Sequence, residues 1–153
     1  MRRWLWRIVG YGAAVVVAAV VTTTLFVGAM TGTAGFPANA VSAFSETFLI
    51  GLTLTAPFAL PGWLICLFVV ARRAKAGFSP GAGFFTVSGG LDGFFAINLF
   101  LFGGEILSGG ATLRFMSVAM PMVVGLNLAS IIGGLAGGWA YWWVAERIRS
   151  KMS

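Results

Sequence analysis

The sequence contains no histidine, one cysteine and only four acidic residues in 153. The lack of histidine excludes bis-histidine haem ligation, histidine zinc ligands and histidine general bases. The single cysteine, Cys66, cannot form an intrachain disulfide, which excludes a disulfide-stapled secreted scaffold. Charged residues make up 9% of the chain, against about 25% in an ordinary soluble domain. These shortages argue against a soluble enzyme and against a disordered chain.

Apolar residues make up 59% of the chain and aromatic residues 14%. A helix needs about 20 apolar residues to cross a hydrocarbon core of about 30 Å. Four runs of about that length are present, at residues 8–30, 48–70, 81–104 and 119–144. Loops are predicted at Thr31–Ser45 and Arg72–Pro80. The sequence therefore predicts an all-α, four-helix transmembrane bundle made of two helical hairpins, with a single integral membrane domain over residues 1–153.

Basic residues outnumber acidic residues by ten to four, and the net charge is +6. Nine of the ten fall in three clusters beside the apolar runs: Arg2, Arg3 and Arg7; Arg72, Arg73 and Lys75; Arg147, Arg149 and Lys151. Four spans place all three clusters on one side of the membrane, and the positive-inside rule makes that side cytoplasmic. We therefore expect the clusters to contact anionic lipid headgroups rather than nucleic acid. The predicted location is a bacterial inner membrane, with both termini in the cytoplasm.

Aromatic residues accompany the two terminal clusters. Trp4 and Trp6 lie at the first, and Trp139, Tyr141, Trp142 and Trp143 lie at the last. Amphipathic rings are favoured at the level of the headgroups, so the tryptophans are predicted to be interfacial anchors. The second group of rings also suits a quinone or a lipid tail, and the interfacial belt is the favoured interpretation.

Small residues repeat every four positions along the fourth span. One row is Gly125, Ala129, Gly133 and Gly137, and the row beside it is Ser130, Gly134 and Gly138. Such rows let two helix backbones approach closely, and packing of this kind drives helix association in lipid. The spacing predicts a tight helix–helix interface, whose partner is either a helix of this chain or another subunit.

The second span contains Pro57 and Pro61. Each proline removes a helical hydrogen bond, so the pair predicts a bend in the helix. A bend of this kind is compatible with a purely structural kink, which is the favoured interpretation, and with a binding site near the midplane.

Asp92 is the first candidate for a functional residue. If the third helix begins near Gly81, Asp92 lies about 15 Å deep. A carboxylate at that depth must be protonated, hydrated or paired, and no lysine or arginine falls within a span. Together with Asn98 it forms a candidate proton or cation site. Two other interpretations stay open: a buried structural Asp92, and a helix that begins at Leu91 after a break at Gly89-Gly90, with Asp92 in its first turn near the headgroups.

Several further polar residues receive structural interpretations. Asn98 and Asn127 are predicted to hydrogen-bond between the third and fourth helices. Glu46 and Glu105 fall at the outer ends of the second and third spans, where end-capping is the favoured role. With Arg114 nearby, a surface cluster or an ion-attracting mouth is the other interpretation.

Methionines lie at the start of the fourth span and in the segment that leads into it, at Met116, Met120 and Met122, and soft thioethers select copper(I). The pattern Met116-x-x-x-Met120, followed after twelve residues by Gly133-x-x-x-Gly137, is similar to the signature of the eukaryotic copper-transporter family. The resemblance covers about 22 residues and implies copper binding at Met116 and Met120. That family carries the two elements on consecutive spans and begins with a methionine-rich extracellular segment, whereas here both elements belong to one helix and its lead-in. Methionine as apolar filler is the favoured interpretation.

The sequence offers no hydrolase or transferase constellation, and Cys66 lacks an activating base. We therefore predict neither enzyme activity nor a cofactor. Two functions fit the remaining features. The favoured one is a non-enzymatic accessory or scaffold subunit of a membrane complex or homo-oligomer, working through the glycine rows of the fourth span. The alternative is a small transporter or channel component for protons or cations that uses Asp92.

Overall fold

A computed structural model describes residues 2–34, 40–77, 79–108 and 113–148. Over these residues the chain forms four long α-helices: α1 at Arg2–Ala34, α2 at Ala40–Ala74, α3 at Ala82–Ser108 and α4 at Leu113–Trp142. A π-helical segment, Trp143–Ile148, continues α4. Every element in the described part of the chain is helical, and the prediction of an all-α fold is confirmed.

Each long helix contains a stretch long and apolar enough to cross a membrane. These candidate spans are Trp4–Ala29, Thr55–Ala74, Ala82–Phe102 and Met122–Arg147. They indicate a multi-pass membrane protein, because each is as long and as apolar as a helix that crosses a hydrocarbon core of about 30 Å.

The helices extend further than the predicted loops allowed. α1 continues to Ala34 and α2 begins at Ala40, so most of the predicted loop Thr31–Ser45 is helical. Ala34, Ala40 and Ala43 lie in the helical part of this stretch, and alanine is the strongest helix former, so small size alone was a poor loop signal. At the other connection, Arg72 and Arg73 form the last turn of α2, where positive charge complements the helix dipole. Gly77 follows with a φ of +78°, a left-handed conformation that favours glycine.

The four helices pack antiparallel in a closed ring, in the order α1, α2, α3, α4 and back to α1. At one end of the bundle, Gly10 of α1 lies against Ala145 of the π-helical segment. At the same end, Leu67 of α2, Phe85 of α3 and Tyr141 of α4 belong to one buried cluster. We call this end of the bundle the basic end, because five basic residues lie close in sequence to the residues that meet there. They are Arg7, Arg72, Arg73, Lys75 and Arg147.

One glycine row of α4 packs against α1. A Cβ added at Gly133 would collide with Thr22 and would lie 2.8 Å from the carbonyl oxygen of Ala18. A Cβ added at Gly137 would lie 2.7 Å from the carbonyl oxygen of Ala14. The two backbones are therefore close enough that only glycine fits at these two positions.

The other glycine row of α4 packs against α3. A Cβ at Gly134 would collide with the carbonyl of Gly89, and a Cβ at Gly138 would collide with the carbonyl of Phe85. Both rows are thus filled by helices of the same chain. In contrast, a Cβ at Gly125 would meet nothing within 4 Å.

The outer surface of the bundle is apolar. Ile65 and Phe68 of α2 and Phe95 of α3 are 65%, 64% and 65% exposed. Lipid tails accommodate such side chains as readily as a protein core does, so a membrane-embedded bundle can leave them outside. The α4 contacts with α1 and α3 are backbone-close, whereas α2 faces the bundle axis across a cleft.

Candidate functional site

A cleft of about 320 Å³ lies between the four helices, and every helix contributes residues to its wall. Most of these residues are apolar or aromatic; Val15, Phe26, Phe58, Ile97 and Leu126 are examples. Small-molecule sites in proteins usually measure about 300–1,000 Å³, so the cleft is large enough for a small organic ligand. Its wall carries the carboxyl of Asp92, and among the described residues that line it none is a lysine or an arginine.

Asp92 lies in the middle of α3. It is the eleventh of the 21 residues of the candidate span Ala82–Phe102. The helix runs unbroken through Gly89-Gly90, because these glycines serve close packing against α4 rather than a helix stop. The interpretation in which the helix begins at Leu91 is therefore wrong, and Asp92 is not in a first helical turn.

The carboxyl of Asp92 lies against Gly62 of α2. A Cβ built at position 62 would stand 2.5 Å from Asp92 Cγ and closer still to Oδ1. The carboxyl thus occupies the space that a side chain at position 62 would need. This contact links α3 to α2 across the cleft and fixes where the one acidic group points.

Aromatic residues surround the cleft between Asp92 and the basic end. The Tyr11 hydroxyl donates a hydrogen bond to the carbonyl of Ala56, and the Tyr11 and Trp63 ring centroids are 4.7 Å apart. Tyr141 is 4% exposed, and its ring centroid lies 5.1 Å from that of Phe85. All of these rings line the cleft.

One hydroxyl in this aromatic region lacks an acceptor. Trp63 Nε1–H faces the Tyr141 oxygen, to which it can donate, and the described residues offer no acceptor for the buried Tyr141 O–H itself. A buried donor without an acceptor typically costs about 1–3 kcal/mol. The Tyr141 hydroxyl therefore favours an acceptor in the cleft.

Hydroxyl groups line the cleft on the side of Asp92 away from the basic end. Thr22, Thr23, Thr47 and Thr55 belong to this part of the wall. The Thr22 hydroxyl donates to the carbonyl of Ala129 over 3.3 Å, and Thr23 is 3% exposed. Polar groups consequently occur on both sides of the carboxyl, along the axis of the bundle.

Asn98 does not join Asp92. Its Nδ2 donates to Asn127 Oδ1 over 2.7 Å and to the carbonyl of Phe94 over 2.7 Å, and Asn127 Nδ2 donates to the carbonyl of Val123. The two asparagines therefore link α3 to α4, as their positions predicted. Asn98 is not among the residues that line the cleft, so the candidate site is reduced to Asp92.

The two prolines of α2 lie beside the site without entering it. α2 continues through Pro57 and Pro61, and both side chains are exposed. Pro61 has no N–H to offer the carbonyl four residues earlier, which loosens the hydrogen-bond ladder at this level. The neighbouring carbonyl of Ala56 accepts the hydrogen bond from Tyr11, and Gly62 follows directly.

The predicted interfacial anchors lie at the basic end. Trp4, Trp139 and Trp143 are exposed, whereas Trp6 and Trp142 are half-buried. The Arg7 guanidinium carbon is 5.9 Å from the Trp4 ring centroid, and that of Arg147 is 5.8 Å from the Trp142 ring centroid. These contacts bring guanidinium groups and rings together at one level of the bundle.

Other predicted residues are not brought to the cleft. Glu46 is the seventh residue of α2, beyond its first turn, so the prediction that it caps this helix is wrong; the helix simply begins earlier, at Ala40. Glu105, Arg114, Met116 and Met120 belong to the stretch 103–121, whose side chains lie outside the described part of the structure. The copper and ion-mouth interpretations stay predictions.

Sequence reasoning missed most of the residues that surround Asp92. Tyr141 was grouped with the interfacial rings, yet it is buried and lines the cleft. Tyr11 and Trp63 carried a signal, since each is a ring with a polar group inside an apolar run. Gly62 carried none, because its role arises only from the approach of α3.

Comparison with known proteins found no protein-family model, no curated protein and no solved structure that matches the chain.

Proposed function

We propose that this protein is a small multi-pass membrane transport protein that handles protons or cations at Asp92, and that it is not an enzyme. The observation that carries the proposal is the position of Asp92: the middle of a candidate span, on the wall of a cleft shared by four helices. An ionisable residue in such a place is costly to keep, and transport or proton relay is its usual reason.

The proposed chemistry needs one carboxyl group. The carboxylate binds a cation, and a proton that binds the same group removes the charge and releases the cation. Tyr11, Trp63 and Tyr141 continue the polar line towards the basic end, and Thr22 and Thr55 continue it the other way. This arrangement supports access to Asp92 along the bundle axis.

The function that the sequence alone favoured, an accessory or scaffold subunit, loses its main support. That proposal used the glycine rows of α4 as a docking face for another subunit. Gly133 and Gly137 pack on α1, and Gly134 and Gly138 pack on α3, so another subunit would have to bind a different face. Association with other subunits or with a second copy stays a prediction.

The proposed setting is a bacterial inner membrane with the basic end in the cytoplasm. Arg7, Arg72, Arg73 and Arg147 would contact anionic headgroups there. The exposed apolar faces of α2 and α3 would contact lipid tails.

The proposal is tested by proton flux into liposomes that hold the purified protein and a pH-sensitive dye. With an imposed potential and a pH gradient, we expect wild-type flux above that of empty liposomes and no such excess for Asp92→Asn, which keeps the shape and loses the charge. Asp92→Glu should retain part of the flux. Glu46→Gln is the matched control, since Glu46 is an exposed carboxyl away from the cleft. Undiminished flux through Asp92→Asn, with proton and alkali cation gradients alike, would contradict the proposal.

A further inference from the structure

The wall of the cleft is poorly suited to a bare inorganic cation. Hard cations are held by several oxygen ligands at once. The described wall offers one carboxylate, that of Asp92, whose contact across the cleft is Gly62. Its other polar side chains, Ser88 and Thr55 among them, are uncharged, and the rings of Tyr11 and Trp63 also line it. The cleft also has a volume of about 320 Å³, far more than one dehydrated ion occupies.

The same wall is well suited to an organic cation with an apolar body. One carboxylate without a lysine or arginine beside it in the described wall provides the counter-charge. The faces of aromatic rings attract cations as well, and they do so more strongly where water is excluded. The apolar residues of all four helices then accept the uncharged part of the ligand.

The aromatic end of the cleft adds a second requirement. The Tyr141 hydroxyl, towards which Trp63 Nε1–H points, is a buried donor without an acceptor among the described residues, and Tyr141 is 4% exposed. Phe85, which contacts Tyr141, precedes Asp92 by seven residues on α3, about 10 Å along the helix axis. An acceptor atom is therefore favoured at the end of the ligand opposite its charge.

We infer that the ligand of this cleft is a lipophilic organic monocation, held by its charge at Asp92 and by an ether, hydroxyl or carbonyl oxygen at the Tyr141 hydroxyl. The inference rests on the proposed function, of which it names the substrate class. It commits the cleft to one occupant; a lipid tail, a neutral quinone-like molecule and an inorganic cation are outcomes of the test.

The test uses the full chain in lipid nanodiscs and isothermal titration calorimetry, with empty nanodiscs to subtract partition into lipid. The probes are methylphenylpyridinium, which is a flat monocation, and methylbiphenyl, its uncharged isostere. We expect saturable binding of the cation and at least about tenfold weaker binding of the isostere, since tenfold in Kd is the equivalent of about 1.4 kcal/mol for the charge interaction. Asp92→Asn should lower the affinity for the cation to that for the isostere, and Asp92→Glu should retain part of the difference.

A methoxy group at the far end of the phenyl ring tests the Tyr141 hydroxyl as a donor. We expect it to tighten binding of the cation in the wild type and in Asp92→Glu, and to have no effect in Tyr141→Phe, which keeps the ring. Equal binding of cation and isostere overturns the inference in favour of an apolar ligand. Displacement of the cation by sodium or potassium chloride, but not by an impermeant organic salt, overturns it in favour of an inorganic cation.

The experiments can contradict the transport function and the substrate class independently of each other. If Asp92-dependent proton flux is present and no probe binds in an Asp92-dependent way, the substrate class is wrong and the transport function stands. If the cation binds as expected and neither it nor protons cross the membrane, the substrate class stands and the transport function is wrong. Monodisperse elution of each variant in mild detergent excludes misfolding as the cause.

Discussion

At the scale of single residues, the candidate site depends on the glycine at position 62. Gly62 has no Cβ, and the carboxyl of Asp92 fills that space. The acid is therefore positioned by α2 as much as by its own helix. A glycine in a helix interior is normally unfavourable by about 0.5–1 kcal/mol relative to alanine, so its presence here is best explained by the contact it permits.

Gly62→Ala tests this positioning. The added methyl group should gain helix propensity and at the same time push the carboxyl away from α2. Because displacement of a functional group by about 1 Å can lower a rate by up to about a hundredfold, we expect Asp92-dependent flux to fall by about tenfold or more. Thermal unfolding in detergent should change little, since the terminal atoms of one aspartate can rotate away. Flux is measured in the same liposomes as for Asp92→Asn.

Gly83→Ala is the matched control for Gly62→Ala. It makes the same change in the first turn of α3, where an added Cβ meets nothing within 4 Å. We expect wild-type flux from this variant. Wild-type flux from Gly62→Ala would instead show that the carboxyl does not need its place against α2.

At the scale of helices, α4 is the element that organises the bundle. Its two glycine rows meet α1 and α3 at backbone distance, and a backbone cannot rotate away from an added methyl group as a side chain can. α2 has no comparable row and faces the cleft. The most closely packed part of the described bundle is therefore α1, α4 and α3, with α2 as the remaining wall of the cleft.

Gly138→Ala tests the packing of α4 on α3. A Cβ at this position collides with the Phe85 carbonyl and lies 3.1 Å from Thr86 Cα. Overpacking of this kind typically costs about 1–3 kcal/mol, which exceeds the gain in helix propensity. We expect unfolding at a lower fraction of denaturing detergent in mixed micelles, followed by circular dichroism. Gly125→Ala, on the same helix with open space around it, should be neutral or gain up to about 1 kcal/mol. Equal stability of the two variants would contradict the packing.

Features that depend on local sequence patterns could be predicted from the sequence, whereas features that depend on contacts between distant helices could not. Apolar runs of membrane length and rows of glycine are local patterns, so α1 to α4 and the close contacts of α4 could be anticipated. The choice between an internal and an external partner for those rows could not, because it depends on which helices become neighbours. Asp92 was recognisable as an acid in an apolar run, whereas Gly62 and the burial of Tyr141 emerge only when helices distant in sequence meet.

At the scale of the whole molecule, charge and apolar surface are separated along one axis. All the basic residues of the described chain except Arg114 collect at one end, the Trp4 and Trp142 rings lie near the Arg7 and Arg147 guanidinium groups there, and the sides of the bundle are apolar. A soluble protein would distribute its charges over its surface. By the positive-inside rule, this separation predicts one orientation of the bundle in a bilayer.

The last prediction concerns the orientation of the bundle in the membrane. Nine of the ten basic residues follow or precede spans at the basic end, whereas Arg114 alone falls at the other. Because lysine and arginine near span ends are retained in the cytoplasm, we expect alkaline phosphatase fused after Ser153 to be inactive and the enzyme inserted within residues 35–39 to be active. A fluorescent protein at the same two positions should give the reverse pattern.

Replacement of Arg72, Arg73 and Lys75 with glutamine should weaken the preference for this orientation without inverting it, since the two terminal clusters remain. Phosphatase activity after Ser153 in the wild type would place the basic end outside, and the carboxyl of Asp92 would then face the opposite ion gradients from those assumed in the transport proposal.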